Sequence, residues 1–451
     1  MSPDYKPIII YGWVSKGIVV RKSPTRKSVW VQVPQVAPTG ESGNNSNLFG
    51  GYMKKFFAFI IALIMVLCLA ACKPTEEKKE LSLETIKIGL ICLHDENSTY
   101  DANFINAVKE VQKALGLKDN QVIIRTGVDE SDDCYKAAAD MASSGCDIVF
   151  ADSFGHESYM IQAAKEFPNV QFCHATGTQA KTAGIANFHN TFASIYEGRY
   201  LAGVAAGMKL NEMIANGLEP EKAIIGYIGA HPYAEVISGY TSFFLGARSV
   251  CASATMKVVY TNSWFDIAKE KESAENLIGD GCVLISQHAD SEGAPKACEI
   301  AGVPNVAYNI STIPLGPNTA LISSKIDWAP YFKMIIDQVI KGEAIPTDWC
   351  GTFETGSVAM TELNDKVAAP GTAEKLAEIE AKLRAGEIKV FATDTWTVNG
   401  ETLGEYLADV IPDDAFAKET NVIHDGYFDE SNSDQFRSAP YFDLIIDGIT
   451  A

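Results

Sequence analysis

Positive charge is scarce in this 451-residue sequence, where 37 Lys and Arg residues stand against 57 Asp and Glu residues and the formal net charge is −20. Residues 1–72 hold eight of the basic residues and two of the acidic ones, which leaves −26 on the remainder. Proteins that bind nucleic acids neutralise phosphates with clustered Lys and Arg. The charge therefore excludes a nucleic acid as the expected partner.

Motifs that carry catalytic chemistry are also missing. The sequence contains no GxSxG elbow, no Walker loop and no GxGxxG after its first predicted strand. Loose proximity of Asp, His and Ser carries no weight in a chain of this length. The sequence therefore predicts a protein that is not an enzyme and that uses no cofactor.

Metal-binding spacings are absent as well. Ten cysteines include no CxxC pair, and the seven histidines include no HxxxH or HExxH spacing. The sequence therefore predicts no metal site. Five histidines nevertheless follow predicted strands, so they could converge only through the fold, and hydrogen bonding is their expected use; they are His94, His156, His174, His231 and His288.

One long apolar run is present, and it begins after the basic start Met53-Lys54-Lys55. It ends at Leu69-Ala-Ala-Cys72, so residues 53–71 have the three parts of a secretory signal peptide. The exit resembles the lipobox of bacterial lipoproteins, which implies cleavage before Cys72, lipidation of its thiol and anchoring on the extracytoplasmic face of the cell membrane. A true transmembrane anchor is the alternative, but no stop-transfer flank follows.

The stretches on either side of the signal have distinct interpretations. Residues 1–52 precede a complete signal sequence, so we interpret them as a start-site artefact or disordered leader, with a genuine cytoplasmic extension as the alternative. Residues 72–84 begin with the acylated cysteine and continue through KPTEEKKE, a charged run without an apolar face. This composition is typical of a solvated tether.

From Thr85 onward, short apolar runs alternate with amphipathic segments, which indicates α/β architecture. Two successive sets of such units predict a two-lobed fold in which each lobe is a parallel sheet flanked by helices. We expect residues 85–190 and 319–349 to form the first lobe and residues 191–318 the second. Residues 350–451 are expected to pack on the lobes.

Ligands of open parallel sheets bind outside the carboxyl ends of the strands. The loops predicted at those ends carry aromatic side chains, which suit stacking on a flat ring system, and polar groups that could contact its edge. Any one aromatic residue could instead belong to a lobe core, and Asp101 and Asp266 could be helix N-caps. The candidates are Tyr100, Asp101, Phe154, His174, Tyr233, Trp264 and Asp266.

Several segments resemble the basic membrane protein (BMP) family of ABC-transporter substrate-binding lipoproteins, which have the type I periplasmic-binding-protein fold. They are Glu197-Gly-Arg-Tyr-Leu-Ala-Gly203, Ser263-Trp-Phe-Asp266 and Thr319 to Ser324 with the helix that follows. The resemblance covers residues 85–342. Family members of known specificity bind purine nucleosides, so the resemblance implies an ABC permease as partner and a PnrA-like purine nucleoside receptor.

The resemblance also assigns positions within the site. Tyr100 stands where the family has a stacking phenylalanine, Asp101 where it commonly has asparagine, and Trp264 at the second stacking position. Asn309 and Ser311 replace the acidic pair that would hold ribose hydroxyls, and the family lysine aligns with Ser324, or with Lys325 after a shift of one residue. A free nucleobase or another heterocycle therefore stays open.

The sequence thus predicts a lipid-anchored solute receptor that captures a purine nucleoside, a nucleobase or another small aromatic molecule for an ABC importer. Two alternatives remain. The chain could be a sensor ectodomain that presents its ligand state to a signalling partner, or a receptor for a non-nucleoside solute.

Overall fold

The computed structural model describes residues 80–410, 418–430 and 437–451. The predicted leader, the signal peptide, the lipidation site Cys72 and all but the end of the tether lie outside these ranges. None of the helices in the described ranges combines the length and the apolar composition that crossing a bilayer requires.

The first sheet has six parallel strands in the order β11-β5-β4-β3-β1-β2. β1 and β3 are buried along their whole length, as expected for apolar strands covered on both faces. The strands are β1 (Ile88–Ile91), β2 (Val122–Arg125), β3 (Ile148–Ala151), β4 (Gln171–Ala175), β5 (Phe188–Ala193) and β11 (Asp348–Gly351).

The second sheet has seven strands in the order β12-β10-β9-β8-β6-β7-β17, and only the pairing of β10 with the edge strand β12 is antiparallel. Two short antiparallel hairpins, β13-β14 and β15-β16, follow in the C-terminal region. The strands of the second sheet are β6 (Ile224–Gly229), β7 (Thr255–Tyr260), β8 (Leu284–His288), β9 (Asn305–Tyr308), β10 (Ala320–Ile326), β12 (Val358–Met360) and β17 (Ile449–Thr450). The hairpin strands are β13 (Leu407–Ala408), β14 (Thr420–Asn421), β15 (Ile423–His424) and β16 (Tyr427–Phe428).

Helices connect the parallel strands and flank both sheets, so the predicted two-lobed α/β architecture is confirmed. The longest helix, α5 (Ile195–Ala215), follows β5 of the first sheet and leads into the second lobe. The helices are α1 (Thr99–Leu115), α2 (Asp132–Ser143), α3 (Glu157–Glu166), α4 (Ala180–Ala183), α5 (Ile195–Ala215), α6 (Ala234–Val250), α7 (Ile267–Gly279), α8 (Gly293–Ala301), α9 (Ala329–Lys341) and α10 (Thr372–Arg384).

Glycines allow α5 and α6 to approach each other closely. A β-carbon placed on Gly203 of α5 would lie 1.9 Å from the carbonyl oxygen of Phe243, and one on Gly246 of α6 would lie 1.9 Å from that of Tyr200. No side chain can occupy that space. The EGRYLAG segment that resembles the BMP family therefore has a packing role in this chain.

The sheet assignment of residues 319–326 corrects the predicted lobe boundary. β10 pairs with β9 in the second sheet, so these residues belong to the second lobe and not to the first. The chain returns to the first lobe only afterwards, where Trp328 stacks on Phe104 of α1 with ring centroids 4.3 Å apart. An apolar run of strand length does not specify which sheet it joins, because either sheet can bury it.

The C-terminal segment also differs in part from the expectation that it only packs on the lobes. Residue 351 ends a strand of the first sheet, while β12 and β17 lie at the two edges of the second. The backbone crosses between the lobes after β5, after β10 and between β11 and β12. Lobes joined by several crossings can close on a ligand by hinge bending.

Candidate functional site

A cavity lies where the carboxyl ends of the two sheets face each other. It contains about 390 Å³ of empty space, counting the mouth that is open to solvent. The loops after β1, β3 and β4 and the first turn of α1 line it from the first lobe, and the first turn of α6 and the loops after β7 and β8 line it from the second. The lining residues are Leu93, His94, Tyr100, Asp101, Ser153, Phe154, Thr176, Glu235, Trp264, His288 and Asp290.

Each lobe contributes a half-buried aromatic ring to the cavity. Tyr100 is fixed in the first lobe, because its hydroxyl donates to the carbonyl oxygen of Asp152 at 2.8 Å and its ring contacts Phe104 edge-on. In the second lobe, Trp264 lies edge-on to His231 at 5.0 Å between ring centroids. Two positioned rings of this kind suit a flat aromatic ligand.

The lobes touch each other around the cavity. The backbone N–H of Thr99, at the start of α1, donates to the carbonyl oxygen of Asp290 in the second lobe at 2.8 Å. At the mouth, the ring of Phe154 lies 5.8 Å from the ring of Tyr233. The structure therefore shows the lobes in a closed arrangement.

Asp101 is the acidic group of the first-lobe wall. One carboxylate oxygen accepts from the backbone N–H of His94 at 2.8 Å, and the other accepts from the hydroxyl of Ser98 at 2.5 Å and lies 3.5 Å from Nδ1 of His94. Burial pushes the pKa of Asp101 upward, but the hydrogen bonds from His94 and Ser98 outweigh it and hold the pKa below its ordinary value. Asp101 is therefore an anion that the protein itself stabilises.

Asp290 and Glu235 are the acidic groups of the second-lobe wall, and they have fewer partners. Asp290 accepts from the side-chain amide of Asn309 at 3.3 Å, and Glu235 lies 3.5 Å from Nε2 of His288. Burial, reinforced by the charges of Glu270, Asp101 and Glu235, raises the pKa of Asp290 well above its ordinary value. Burial also lowers the pKa of His288 to about 4, so this imidazole is neutral.

Four of the residues predicted from the sequence meet at this cavity: Tyr100, Asp101, Phe154 and Trp264. Asp101 is not the N-cap of its helix, because Ser98 holds that position and accepts from the backbone N–H of Asp101. Tyr233 does not line the cavity, and instead stacks on His231 at the mouth with 46% of its surface exposed.

Two other predicted residues are buried behind the cavity wall. His174 is fully buried and its Nε2 contacts the carbonyl oxygen of Ser153 at 2.7 Å. Asn309, with a φ of 74°, directs its amide to Asp290. Both therefore support lining residues and do not line the cavity themselves.

Asp266 and Lys325 also lie outside the lining, and each has a local partner. Asp266 is the N-cap of α7, where its carboxylate accepts from the backbone N–H of Lys269 at 3.0 Å. Lys325 is 3.3 Å from the carboxylate of Asp327. The N-cap alternative for Asp266 is thus the arrangement that the structure contains.

Seven lining residues were not among the predicted ones. Five of them lie in the strand-end loops identified as candidates, namely His94, Ser153, Thr176, His288 and Asp290. The prediction favoured aromatic residues and residues at helix starts in those loops. It therefore omitted these smaller and more polar side chains. Leu93 and Glu235 lie just outside the loops, and only the position of Glu235 in the first turn of α6 offered a signal.

Comparison with known proteins identifies the family. Residues 91–393 match the model of the Bmp family, described as "ABC transporter substrate-binding protein PnrA-like". The chain belongs to the Bmp family. The match extends over most of both lobes and includes every residue that lines the cavity.

Individual relatives of this Bmp chain bind different solutes. A purine-binding protein of Brucella abortus (strain 2308) is 34% identical over 340 residues, which are 74% of this chain and 88% of the relative. A putative ABC transporter glucose-binding protein of Haloferax volcanii is 33% identical over 251 residues, which are 56% of this chain and 60% of the relative.

Solved structures give the fold of the Bmp chain. The solute-binding protein of an ABC transporter from Aeropyrum pernix K1 superposes with a TM-score of 0.57 over 68% of this chain and 93% of that one, at 15% identity. Family and fold are those of ABC solute-binding receptors and not of enzymes. The predicted periplasmic-binding-protein fold is therefore confirmed, and the cavity is the place where such a receptor would enclose its ligand.

Proposed function

We propose that this Bmp receptor captures a purine, as free base or nucleoside, between its lobes and delivers it to an ABC permease while a lipid on Cys72 holds it at the membrane. The observation that carries the proposal is the cavity, which is lined by Tyr100 and Trp264 from opposite lobes and by three carboxyl groups. Purine bases combine a flat ring system with N–H groups at its edge. Stacking and hydrogen bonds to acidic acceptors suit both features.

The charge of the cavity favours the base as the main recognition element. Asp101, Glu235 and Asp290 line it, and none of its lining residues within the described ranges is Lys or Arg. Three acidic groups suit a ligand that donates hydrogen bonds, and an anionic ligand such as a nucleotide would be repelled.

Ribose contacts have less support. In the family, these contacts fall at the positions where this chain has Asn309 and Ser311 in place of the acidic pair, and Ser324 or Lys325 in line with the lysine. Here Asn309 points to Asp290, Ser311 to Glu362 and Lys325 to Asp327. A free nucleobase is therefore the ligand that the arrangement favours over a nucleoside.

Binding and closure form one equilibrium in this proposal. A ligand held by Trp264 and Asp290 of one lobe and Tyr100 of the other stabilises the closed form by its affinity for both walls. The purine-binding relative supports the ligand class, and the glucose-binding relative defines the competing one.

Isothermal titration calorimetry and thermal shift of the purified chain would test the ligand class, with adenine, guanine, adenosine, guanosine and glucose as probes. A ligand that binds only the native state raises the melting temperature. We expect a purine base to give the largest rise. A rise with glucose and none with any purine would overturn the proposal.

The lipid anchor has its own test, because the Leu69-Ala-Ala-Cys72 exit is the feature that supports it. Cys72→Ala should leave purine binding unchanged and release the protein from the membrane fraction. Cys68→Ala, within the signal itself, is the matched control and should stay with membranes. A Cys72→Ala variant that still partitions with membranes would contradict lipidation at that residue.

A further inference from the structure

Beneath the first-lobe wall of the cavity, three side chains with metal-binding atoms converge. The thiol of Cys92 and the carboxylates of Asp101 and Asp152 place one ligand atom each within 4.8 Å of one another. They come from the ends of β1 and β3 and from the first turn of α1, and none exposes more than 1% of its surface. Burying such polar groups is unfavourable unless they are paired or coordinate a metal.

Two buried atoms, one in this cluster and one beside it, have no hydrogen-bond partner among the residues that the structure describes. Oδ1 of Asp152 accepts from the backbone N–H of Leu93 at 3.2 Å, whereas its Oδ2 is buried without a hydrogen-bond partner. His156 is also fully buried, and its Nδ1 lies 4.0 Å from Oδ1 of Asp152 and has no hydrogen-bond partner either. Since Nε2 of His156 contacts the carbonyl oxygen of Val128 at 2.9 Å, Nε2 carries the proton and Nδ1 keeps a free lone pair.

We propose that Cys92, Asp101 and Asp152 bind one divalent transition-metal ion of the zinc type, with Nδ1 of His156, 4.0 Å from Oδ1 of Asp152, as a further donor. Thiolate, carboxylate and imidazole are the ligands that zinc uses in proteins, whereas calcium and magnesium prefer oxygen ligands only. A cation at this point would use the free lone pairs and balance the buried carboxylates.

The surroundings of the cluster resemble the support that metal ligands receive in proteins. A ligating histidine commonly donates its other ring N–H to a carbonyl oxygen or carboxylate, which fixes its tautomer. His156 has that arrangement through Val128, and Asp101 is held by His94 and Ser98. Binding requires the Cys92 thiol, and Asp152 where it is protonated, to release their protons to solvent, because the metal takes the deprotonated forms.

The site goes beyond the proposed receptor function and does not rest on it. Asp101 belongs to both the ligand cavity and the cluster, so a bound ion would hold one wall of the cavity in place. A proton shared between Asp152 and Asp101 is the competing way to satisfy the same atoms. Metal titration separates the two.

The test uses the purified full-length chain after treatment with a chelator. Zn²⁺ is added in a thermal-shift and calorimetric titration, and Co²⁺ in a spectroscopic one, where a thiolate ligand gives a charge-transfer band. We expect one ion per chain, a rise in melting temperature of about 3 °C or more at saturation and a thiolate–cobalt band.

Variants locate the ion, which matters because the described ranges contain eight cysteines. Cys92→Ala and Asp152→Asn should lose the bound ion and the rise. Cys173→Ala is the matched control, since Cys173 is equally buried in β4 of the same lobe and lies outside the cluster. It should bind as the wild type does.

Circular dichroism establishes that each variant is folded. If Cys92→Ala fails to fold, Cys92→Ser replaces it, and loss of the thiolate–cobalt band is the expected result. Absence of any stoichiometric ion from the wild type, or binding that persists in both Cys92 and Asp152 variants, would overturn the proposal and leave the shared proton as the explanation. Purine titration on the same wild-type sample reports the receptor function separately.

Discussion

The two walls of the cavity differ in how much of their hydrogen bonding the protein supplies. In the first lobe, Asp101 receives hydrogen bonds from His94 and Ser98, and Tyr100 donates to the backbone of the neighbouring strand loop. In the second lobe, Asp290 has one side-chain partner at 3.3 Å, and Glu235 has only a 3.5 Å contact with His288. The polar groups of the first wall are paired within the protein, whereas those of the second wall keep hydrogen-bonding capacity for a ligand.

This difference assigns separate tasks to the lobes. A wall whose polar groups are already paired offers the ligand a rigid surface, and its residues contribute to stability as well as to binding. A wall with buried acceptors that are poorly paired gains from a ligand that donates hydrogen bonds. Ligand specificity should therefore reside mainly in the second lobe.

The largest effect should come from the stacking residues. Trp264→Ala should weaken purine binding about a hundredfold, as for a central aromatic residue of a binding site, and should lower the melting temperature only through the loss of its packing on the core. Tyr100→Ala should weaken binding and also lower the melting temperature, because its hydroxyl bonds to Asp152. Calorimetry and thermal unfolding of both variants give the comparison. Equal losses of stability in the two would contradict it.

Substitutions of the acidic groups should show the same difference between the two walls. Asp290→Asn should weaken binding of a purine base about thirtyfold, in line with loss of a buried hydrogen bond to the ligand, and leave unfolding nearly unchanged. Asp101→Asn should lower the free energy of unfolding by about 1 to 3 kcal/mol, since an amide group replaces one of the two oxygens that accept from His94 and Ser98 with an N–H donor. Urea unfolding and calorimetry distinguish the two. A binding defect confined to Asp101→Asn would reverse the assignment.

Glu270 holds the loop that contains Asp290 of the second wall, and it should make the stability of the protein depend on pH. Glu270 holds the backbone N–H groups of Ser291 and Asp266, and burial raises its pKa to about 7. The folded state therefore binds the proton of the Glu270 carboxyl group more tightly than the unfolded state does. The stability that protonated Glu270 contributes is fully present below the unfolded pKa and is lost as the pH rises through about 7.

Between about pH 5.5 and 7.5 we expect Glu270 to lower the free energy of unfolding by about 1.5 kcal/mol. Glu270→Gln should remove that part of the pH dependence, because a neutral amide oxygen can still accept both N–H groups. Urea unfolding at both pH values measures it. Identical slopes in wild type and variant would show that the group does not titrate in this range.

The smallest effect should come from the mouth. Tyr233 is 46% exposed and is not a lining residue, although its ring contacts those of His231, Phe154 and Trp264. Tyr233→Ala should change purine affinity by about threefold or less, since rim residues contribute little to binding. A loss of purine affinity as large as that of Trp264→Ala would mean that Tyr233 contacts the ligand, as the sequence predicted.

Local patterns in the sequence predicted the architecture well. The alternation of strands and amphipathic helices indicated both lobes. The strand-end rule led to the loops that line the cavity and to four of the lining side chains, Tyr100, Asp101, Phe154 and Trp264, but it missed the other seven. It selected Asp266, which caps α7, and it left out Asp290, whose neighbour Asn309 comes from a separate strand end.

The sequence by itself determined the fold class, because hydrophobic periodicity and helix signals act over a few residues along the chain. It also carried the motifs that resemble the Bmp family. Only the tertiary structure decided that β10 joins the second sheet and that Asp101 and Asp290 face each other across one cavity. The convergence of Cys92, Asp152 and His156 also required the fold, because such contacts depend on strand order and lobe closure, which no local spacing encodes.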